Sequence, residues 1–214
     1  MSVRQIAIVG YGIIGQQIEH FVEEAHKGGA IEFYYFDDTY PDNGKGHSFP
    51  LQAYQDNRFA NFEFYIGLGY KHLCLRKEIT DSMIRLNLRF PSIIHHTCYM
   101  HSSVSIGNGT VIYPMCNIGF SVNIGNGVII NKSCTLSHNS IIGDGSFVSP
   151  SVTFCGGAKL GNSSFVGAGT LISNEVKIGN QVKIGIGSVI TRDISDNQSV
   201  IGNPARVVND LKIK

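Results

Sequence analysis

The chain has 214 residues, 43% of them hydrophobic and 15% charged, with a formal net charge of +1. This composition marks a globular protein rather than a disordered one, and the length suits one large domain or two small ones. The near-neutral balance gives no electrostatic reason to bind nucleic acid or an anionic membrane.

The opening residues 1–10 carry one charge and a short apolar run. That run is too short for a signal peptide or a transmembrane helix, so no membrane insertion is expected. Cys74, Cys98, Cys116, Cys134 and Cys155 show no CxxC spacing. They are expected as reduced thiols in a cytoplasmic protein.

Gln5 to Val9 is an apolar β run, followed at once by Gly10-Tyr11-Gly12-Ile13-Ile14-Gly15. Ile14 to Ala25 reads as an amphipathic helix with Ile14, Ile18, Phe21, Val22 and Ala25 on one face. Gly28-Gly29 closes it, and Ile31 to Phe36 is a second strand ending in Asp37-Asp38. The whole is a βαβ unit with GxGxxG in its first turn. Its glycines allow the backbone to approach a pyrophosphate, and the helix N-terminus attracts the charge. Asp37 and Asp38 are placed to hold a ribose or a base edge. Tyr40 to Gly46 is a polar loop. Phe62 to Leu68 is a third strand ending in Gly67-Leu68-Gly69. Tyr70 to Leu88 reads as a helix that buries Leu73, Ile79, Met83 and Leu86.

GxGxxG by itself also fits an NAD-dependent oxidoreductase or a plain strand-to-helix turn. A full dinucleotide fold needs two βαβαβ halves, and only residues 1–92 precede the next segment. Half a site suits a mononucleotide or a nucleotide-sugar.

From Ile106 the chain steps by six through Ile112, Ile118, Ile124, Ile130, Leu136, Ile142 and Val148. The same step continues through Phe154, Leu160, Val166, Ile172, Ile178, Ile184 and Ile190. Four residues after each apolar position comes a small or β-branched one, such as Thr110, Cys116, Val122 or Ser140. A period of six fits neither a helix nor an alternating strand; it is the hexapeptide repeat of a parallel β-helix. Ile106-Gly-Asn-Gly, Ile124-Gly-Asn-Gly and Ile142-Gly-Asp-Gly recur every eighteen residues, so three hexads make one coil of a three-sided prism. The Gly-Asn-Gly corners suit a positive φ. Outward residues such as Val111, Ile129, Ile141 and Phe165 want cover, which argues for self-association.

His138 is the only histidine after His101, and it occupies an outward corner of its hexad. Gly156 takes the same corner one coil on, and a glycine stacked on a histidine leaves a notch for a thioester. An amine attacking that thioester needs a base for its proton and backbone donors for the oxyanion. An ordinary histidine titrates near pH 6.5, which suits the base role. No acyl-enzyme and no nucleophilic Cys is invoked. Unaided by other features, such a residue is a solvated corner. Three-histidine zinc sites occur in some β-helices, but His95, His96 and His101 cluster at the start of the repeat, away from His138. No metal is expected.

A short Rossmann-like domain followed by gapless hexads that end in Gly202-Asn203-Pro204-Ala205-Arg206 resembles one family over essentially the whole chain. It is the family of sialic acid O-acetyltransferases and PglD-type nucleotide-amino-sugar N-acetyltransferases. Ile93-Ile94-His95 resembles its lead-in to the first coil. The resemblance implies an α/β Rossmann-like nucleotide-sugar-binding domain (1–92) and an all-β left-handed parallel β-helix acyltransferase domain with a C-terminal tail (93–214). It further implies acetyl-CoA as donor and a homotrimer with active sites between adjacent β-helices. The acceptor is the amino group of a UDP- or dTDP-linked 4-amino-dideoxy sugar used in surface glycan synthesis. An O-acetyltransferase and a non-catalytic nucleotide-sugar binder are the alternatives.

Carried over by position, His138 is the catalytic base. Asn139 stands where the family has a Glu that raises the basicity of the histidine, and Asp144, one hexad on, is a candidate to replace that acid. The CoA contacts fall on Phe147, where the family has a His, and on Gly156, Ala168 and Ile186. The nucleotide-sugar contacts fall on Gly10, Tyr11, Gly12, Ile13, Ile14, Asp37, Asp38, Gly67 and Gly69. The family often has a second His at the position of Ile14.

Overall fold

The computed structural model describes residues 3–26, 28–39, 47–209 and 211. The polar loop read over 40–46 lies outside them. The chain forms two compact units, Met1–Ile93 and Ile94–Lys214.

In the first unit, β1 (Arg4–Val9), α1 (Ile13–Ala25), β2 (Ile31–Phe36), β3 (His47–Phe49), β4 (Glu63–Ile66) and α2 (Leu73–Arg85) follow in order. The four strands form a parallel sheet in the order β3-β2-β1-β4. β1 is therefore central, and Ile6 to Val9 are fully buried, as a strand covered on both faces requires. α1 turns Ile18 and Val22 inward as expected, while Ala25 is exposed. The Tyr70–Leu88 helix is two pieces: a 3₁₀ turn at Tyr70–His72, then α2. Ile79 and Met83 are buried, but Leu86 is 43% exposed because α2 has already ended. Arg76 is fully buried; its Nη1 donates to the carbonyls of Ile66 and Leu68 at 2.7 and 2.9 Å. The short strand β3 is an addition to the elements expected from the sequence.

The second unit is a parallel β-helix with sheets of five, six and eight strands. Ile106, Ile124, Ile142, Leu160 and Ile178 pair successively at an eighteen-residue register, and the other two sheets repeat the rule. The inward residues form one continuous core from Ile112 to Val200. Cys116 and Cys134 fill small inward slots, and each thiol donates to a carbonyl fifteen residues on, at 3.1 Å.

The corners follow one backbone rule. Every sixth residue from Gly109 to Gly187 has a positive φ, whether glycine or not: Met115, Ser121, Ser133, Asn139, Ser151, Ser163, Glu175 and Gln181 obey it too. A non-glycine residue there costs about 1–2 kcal/mol. The buried Ile, Leu or Val of the same hexad contributes about 1.5–3 kcal/mol, so the coil survives replacement of its corner glycines. A second device holds one corner. The side-chain oxygens of Asn126, Asp144, Asn162 and Asn180 each accept the backbone N–H eighteen residues earlier, at 2.7–2.9 Å.

Val111, Ile129 and Phe165, read in the sequence as outward residues wanting cover, are buried within the single chain. They give no argument for self-association. Ile141, at 37% exposed, is the one of the four that remains open. The chain leaves the β-helix through an antiparallel pair, Ser199–Gly202 with Ala205–Val207, whose turn carries the cis Asn203–Pro204 bond.

Candidate active site

The first-unit site is a knot of glycine backbone. Gly10 adopts φ +89°, and a Cβ there would strike the Leu68 side chain. A Cβ on Gly15 would lie 2.3 Å from the Gly10 carbonyl oxygen, and one on Gly67 would lie 2.0 Å from the same atom. These three glycines let the loop after β1, the start of α1 and the end of β4 touch. Gly12 is different: nothing lies within 4 Å of its missing side chain, so it leaves open space at the mouth of the loop. Gly69 packs near Ile14, which is half-buried, and Ile13 is 68% exposed. α1 has no side-chain cap and no acidic residue in its first turn, which keeps its N-terminal N–H groups favourable to an anion.

The acidic pair at the end of β2 has structural partners. Asp37 accepts the Tyr11 backbone N–H through Oδ2 at 2.6 Å and the Thr39 backbone N–H through Oδ1 at 2.7 Å. Asp38 accepts the Leu51 N–H at 2.9 Å. Tyr11 turns its side chain into the unit. It is 4% exposed, its ring lies 4.3 Å from that of Tyr35, and both phenols donate to Glu19. Burial first, then the hydrogen bond and charge of Glu19, push the Tyr11 phenol well above its ordinary range.

In the second unit, His138 is exposed at its corner, as its hexad position predicts. The notch expected over Gly156 is filled by the imidazole itself. A Cβ on Gly156 would lie 2.4 Å from His138 Nε2 and 2.5 Å from Cε1. Asn139 Nδ2 lies 3.3 Å from His138 Nδ1. With the NH₂ group turned to the ring, the neutral imidazole carries its proton on Nε2. With Oδ1 turned to the ring instead, Nδ1–H is donated and Nε2 keeps the lone pair that a base requires. Base chemistry at Nε2 uses the second orientation.

The positions assigned to CoA are spread over the prism. Gly156 shares the corner of His138. Ala168 and Ile186 lie on another corner, where Ile186 is 71% exposed. Phe147 lies on a sheet face, 4% exposed, with its ring 6.0 Å from that of Phe165. Asp144 belongs to the asparagine ladder of a third corner, where Oδ1 accepts the Asn126 N–H at 2.7 Å. It is not the acid beside His138. The His138 corner does have a carboxylate. Glu175, two coils after Asn139 in the same column, folds back onto Gly157. The signal in the sequence is the Gly156-Gly157 pair, standing where other coils have a side chain.

His95 and His101 make local turn contacts, from Nδ1 to Thr97 Oγ1 and to Ser103 Oγ, each at 2.9 Å. Among the described residues, no three His, Cys, Asp or Glu side chains converge as a metal site, and no helix is long and apolar enough to cross a membrane.

No family model and no curated protein matches the sequence. Solved structures do match. The acetyltransferase domain of PglB from Neisseria gonorrhoeae FA1090 is 26% identical, with a TM-score of 0.86 over 96% of this chain and 100% of that one. Its complex with acetyl coenzyme A is 25% identical, with a TM-score of 0.85 over 97% and 100%. PerB from Caulobacter crescentus, in complex with CoA and GDP-perosamine, is 21% identical, with a TM-score of 0.83 over 96% and 97%; at that identity it supports the fold alone.

Proposed function

We propose that the chain is an acetyl-CoA-dependent N-acetyltransferase acting on the amino group of a nucleotide-linked 4-amino-dideoxy sugar. The observation that carries this reading is the His138 imidazole seated over Gly156 at an open corner of a parallel β-helix. The end-to-end likeness to an acetyltransferase domain supports it.

The glycine knot of the first unit, read as a Rossmann-like domain, takes the nucleotide diphosphate through the backbone at Gly10–Ile14, with Gly67 and Gly69 beside it. UDP or dTDP is the proposed nucleotide. The second unit, read as left-handed, takes the acetyl thioester. His138 Nε2 removes a proton as the amine forms its C–N bond to the acetyl carbon. The Gly156 N–H, which donates to no protein carbonyl among the described residues, is the backbone donor proposed for the oxyanion. Collapse breaks the C–S bond, and the imidazolium returns its proton to the leaving thiolate.

CoA positions on two corners of one prism meet at a single site when prisms stand side by side, which is the reason to propose a homotrimer. Synthesis of a surface glycan in the cytoplasm follows from the same reading.

The test is CoA-thiol release from acetyl-CoA with a panel of UDP-, dTDP- and GDP-linked 4-amino sugars, on wild type and His138→Ala. Turnover with one sugar is expected, with kcat falling about 10²–10⁴-fold in the variant. No release with any amino sugar overturns the N-acetyltransferase reading. Release that survives His138→Ala removes His138 as base.

A further inference from the structure

We propose that Glu175 is the positioning carboxylate of the transfer site, facing His138 in place of the acid that Asn139 does not supply. This rests on the reading of His138 as the base. Asn139, Gly157 and Glu175 succeed one another in a single corner column at eighteen-residue steps. Gly157 has φ +71° and no side chain, and the Glu175 carboxylate lies where its Cβ would be, with Oε1 2.1 Å and Oε2 2.7 Å from that point. Glu175 therefore reaches back one coil, toward the coil that carries His138.

Gly156 admits the imidazole in the same way from the opposite side. The Cα atoms of Gly156 and Gly157 are about 3.8 Å apart, as consecutive residues must be. The ring and the carboxylate thus converge on one Gly-Gly pair. Backbone hydrogen bonds fix the three coils, Gly157 N–H to His138 O at 2.8 Å and Glu175 N–H to Gly156 O at 2.9 Å.

The chemistry needs a negative charge here. As the amine yields its proton, the ring becomes an imidazolium, and neutral Asn139 cannot offset that charge. Bound donor and acceptor displace water, and in the drier site a nearby carboxylate couples more strongly to the ring. The charge disappears when the proton passes to the departing thiolate.

The other ionisable groups around this corner do not supply the charge. His101 packs on Phe120, one coil before His138, with ring centres 5.2 Å apart. Cys155 precedes Gly156. Arg192 is a cation on the following coil, where the register between coils falls from eighteen residues (Ile172 with Ile190) to sixteen (Ile178 with Ile194). Asp193, beyond Glu175, accepts the Lys177 backbone N–H at 2.8 Å.

The experiment is steady-state thiol release by Glu175→Gln, with the sugar that the wild type acetylates. The expected result is a kcat about tenfold lower, the rate equivalent of one pH unit of lost imidazolium stabilisation, with KM for both substrates within about twofold. The acidic limb of the kcat–pH profile moves to lower pH, because removing an anion makes the ring easier to deprotonate. Adding Asn139→Glu to Glu175→Gln restores kcat to within about threefold of wild type by returning a carboxylate to the ring.

Unchanged kcat and an unmoved acidic limb in Glu175→Gln overturn the proposal. So does a loss that Asn139→Glu fails to restore. Glu175→Asp guards against a folding artefact: it keeps the charge but draws it away from Gly157, and an intermediate kcat is expected. A wild type that releases no thiol overturns the acetyltransferase reading and this proposal together. A turning-over wild type matched by its variant overturns this proposal alone.

Discussion

The imidazole of His138 occupies the space that a side chain on Gly156 would need, with Nε2 2.4 Å from the missing Cβ. Gly156 does not have the positive φ of the corner residue that follows it. An alanine there keeps a normal backbone and simply evicts the ring. The ring is exposed, so little stability is lost. Gly156→Ala is expected to melt within a few degrees of wild type while kcat falls about 100-fold, the usual cost of misplacing a catalytic group by about an ångström. Thermal melting and thiol release on one preparation check both halves. Full turnover in this variant means that His138 does not act from the observed position.

A related substitution bears on the first unit. Asp37 holds the glycine loop by accepting the Tyr11 N–H at 2.6 Å, a charge-assisted bond. Asp37→Ala is expected to speed hydrogen exchange at the Tyr11 amide in the free protein. It is also expected to weaken nucleotide-sugar binding about tenfold, in line with loss of a hydrogen bond to a charged group. Exchange measured by NMR and binding by calorimetry separate these effects. Weaker binding with unchanged exchange assigns Asp37 to direct ligand contact instead.

Much of the fold is legible in the sequence because the β-helix is written by a short rule repeated many times. One apolar residue in six gives the core, and the eighteen-residue Gly-Asn-Gly spacing gives the register. What escapes a sequence reading depends on longer relationships. Glu175 meets the His138 corner across 37 residues and two glycines, a proximity visible only after the coils are stacked. Phe147 and Phe165 look like outward strand residues by alternation, yet they are buried. Nothing in the sequence marks Arg76 as buried, because a charged helix residue is ordinarily solvated; its burial follows from the two carbonyls left open at the end of β4. β3 is three residues long and carries too little pattern to find.

Asp144 is the natural candidate for an acid near His138, being one hexad away in sequence. The prism places it on another corner, where it caps the Asn126 N–H at 2.7 Å. Asp144→Ala is expected to destabilise the chain by about 1–3 kcal/mol, the cost of orphaning a partly buried donor. It is expected to leave kcat within about twofold, as suits a site away from the reacting atoms. Denaturant melts and thiol release give the two numbers. A collapse of kcat without loss of stability returns Asp144 to the chemistry.

Glu63 makes acid sensitivity a property of the first unit. It is 4% exposed and accepts hydrogen bonds from Arg4 Nη2 at 2.9 Å and from the Tyr65 hydroxyl, with Arg89 Nη2 at 3.1 Å. Burial acts to raise its pKa. The bonds from Tyr65 and Arg4 and the charges of Arg4 and Arg89 outweigh that and hold it below the usual carboxylate range. A depressed folded-state pKa means that the unfolded chain binds the proton first. The stabilisation is therefore complete above the ordinary glutamate value of about 4.3 and is lost as pH falls through the folded value. The first unit is expected to lose stability as pH falls below that ordinary value. Glu63→Gln should flatten that slope. At neutral pH it should cost about 1–3 kcal/mol rather than more, because the Arg4 and Arg89 side chains are 40% and 68% exposed and regain water. Near-UV dichroism of the tyrosines, most of which lie in this unit, follows the transition. A pH slope that persists in Glu63→Gln assigns the acid sensitivity to other carboxylates.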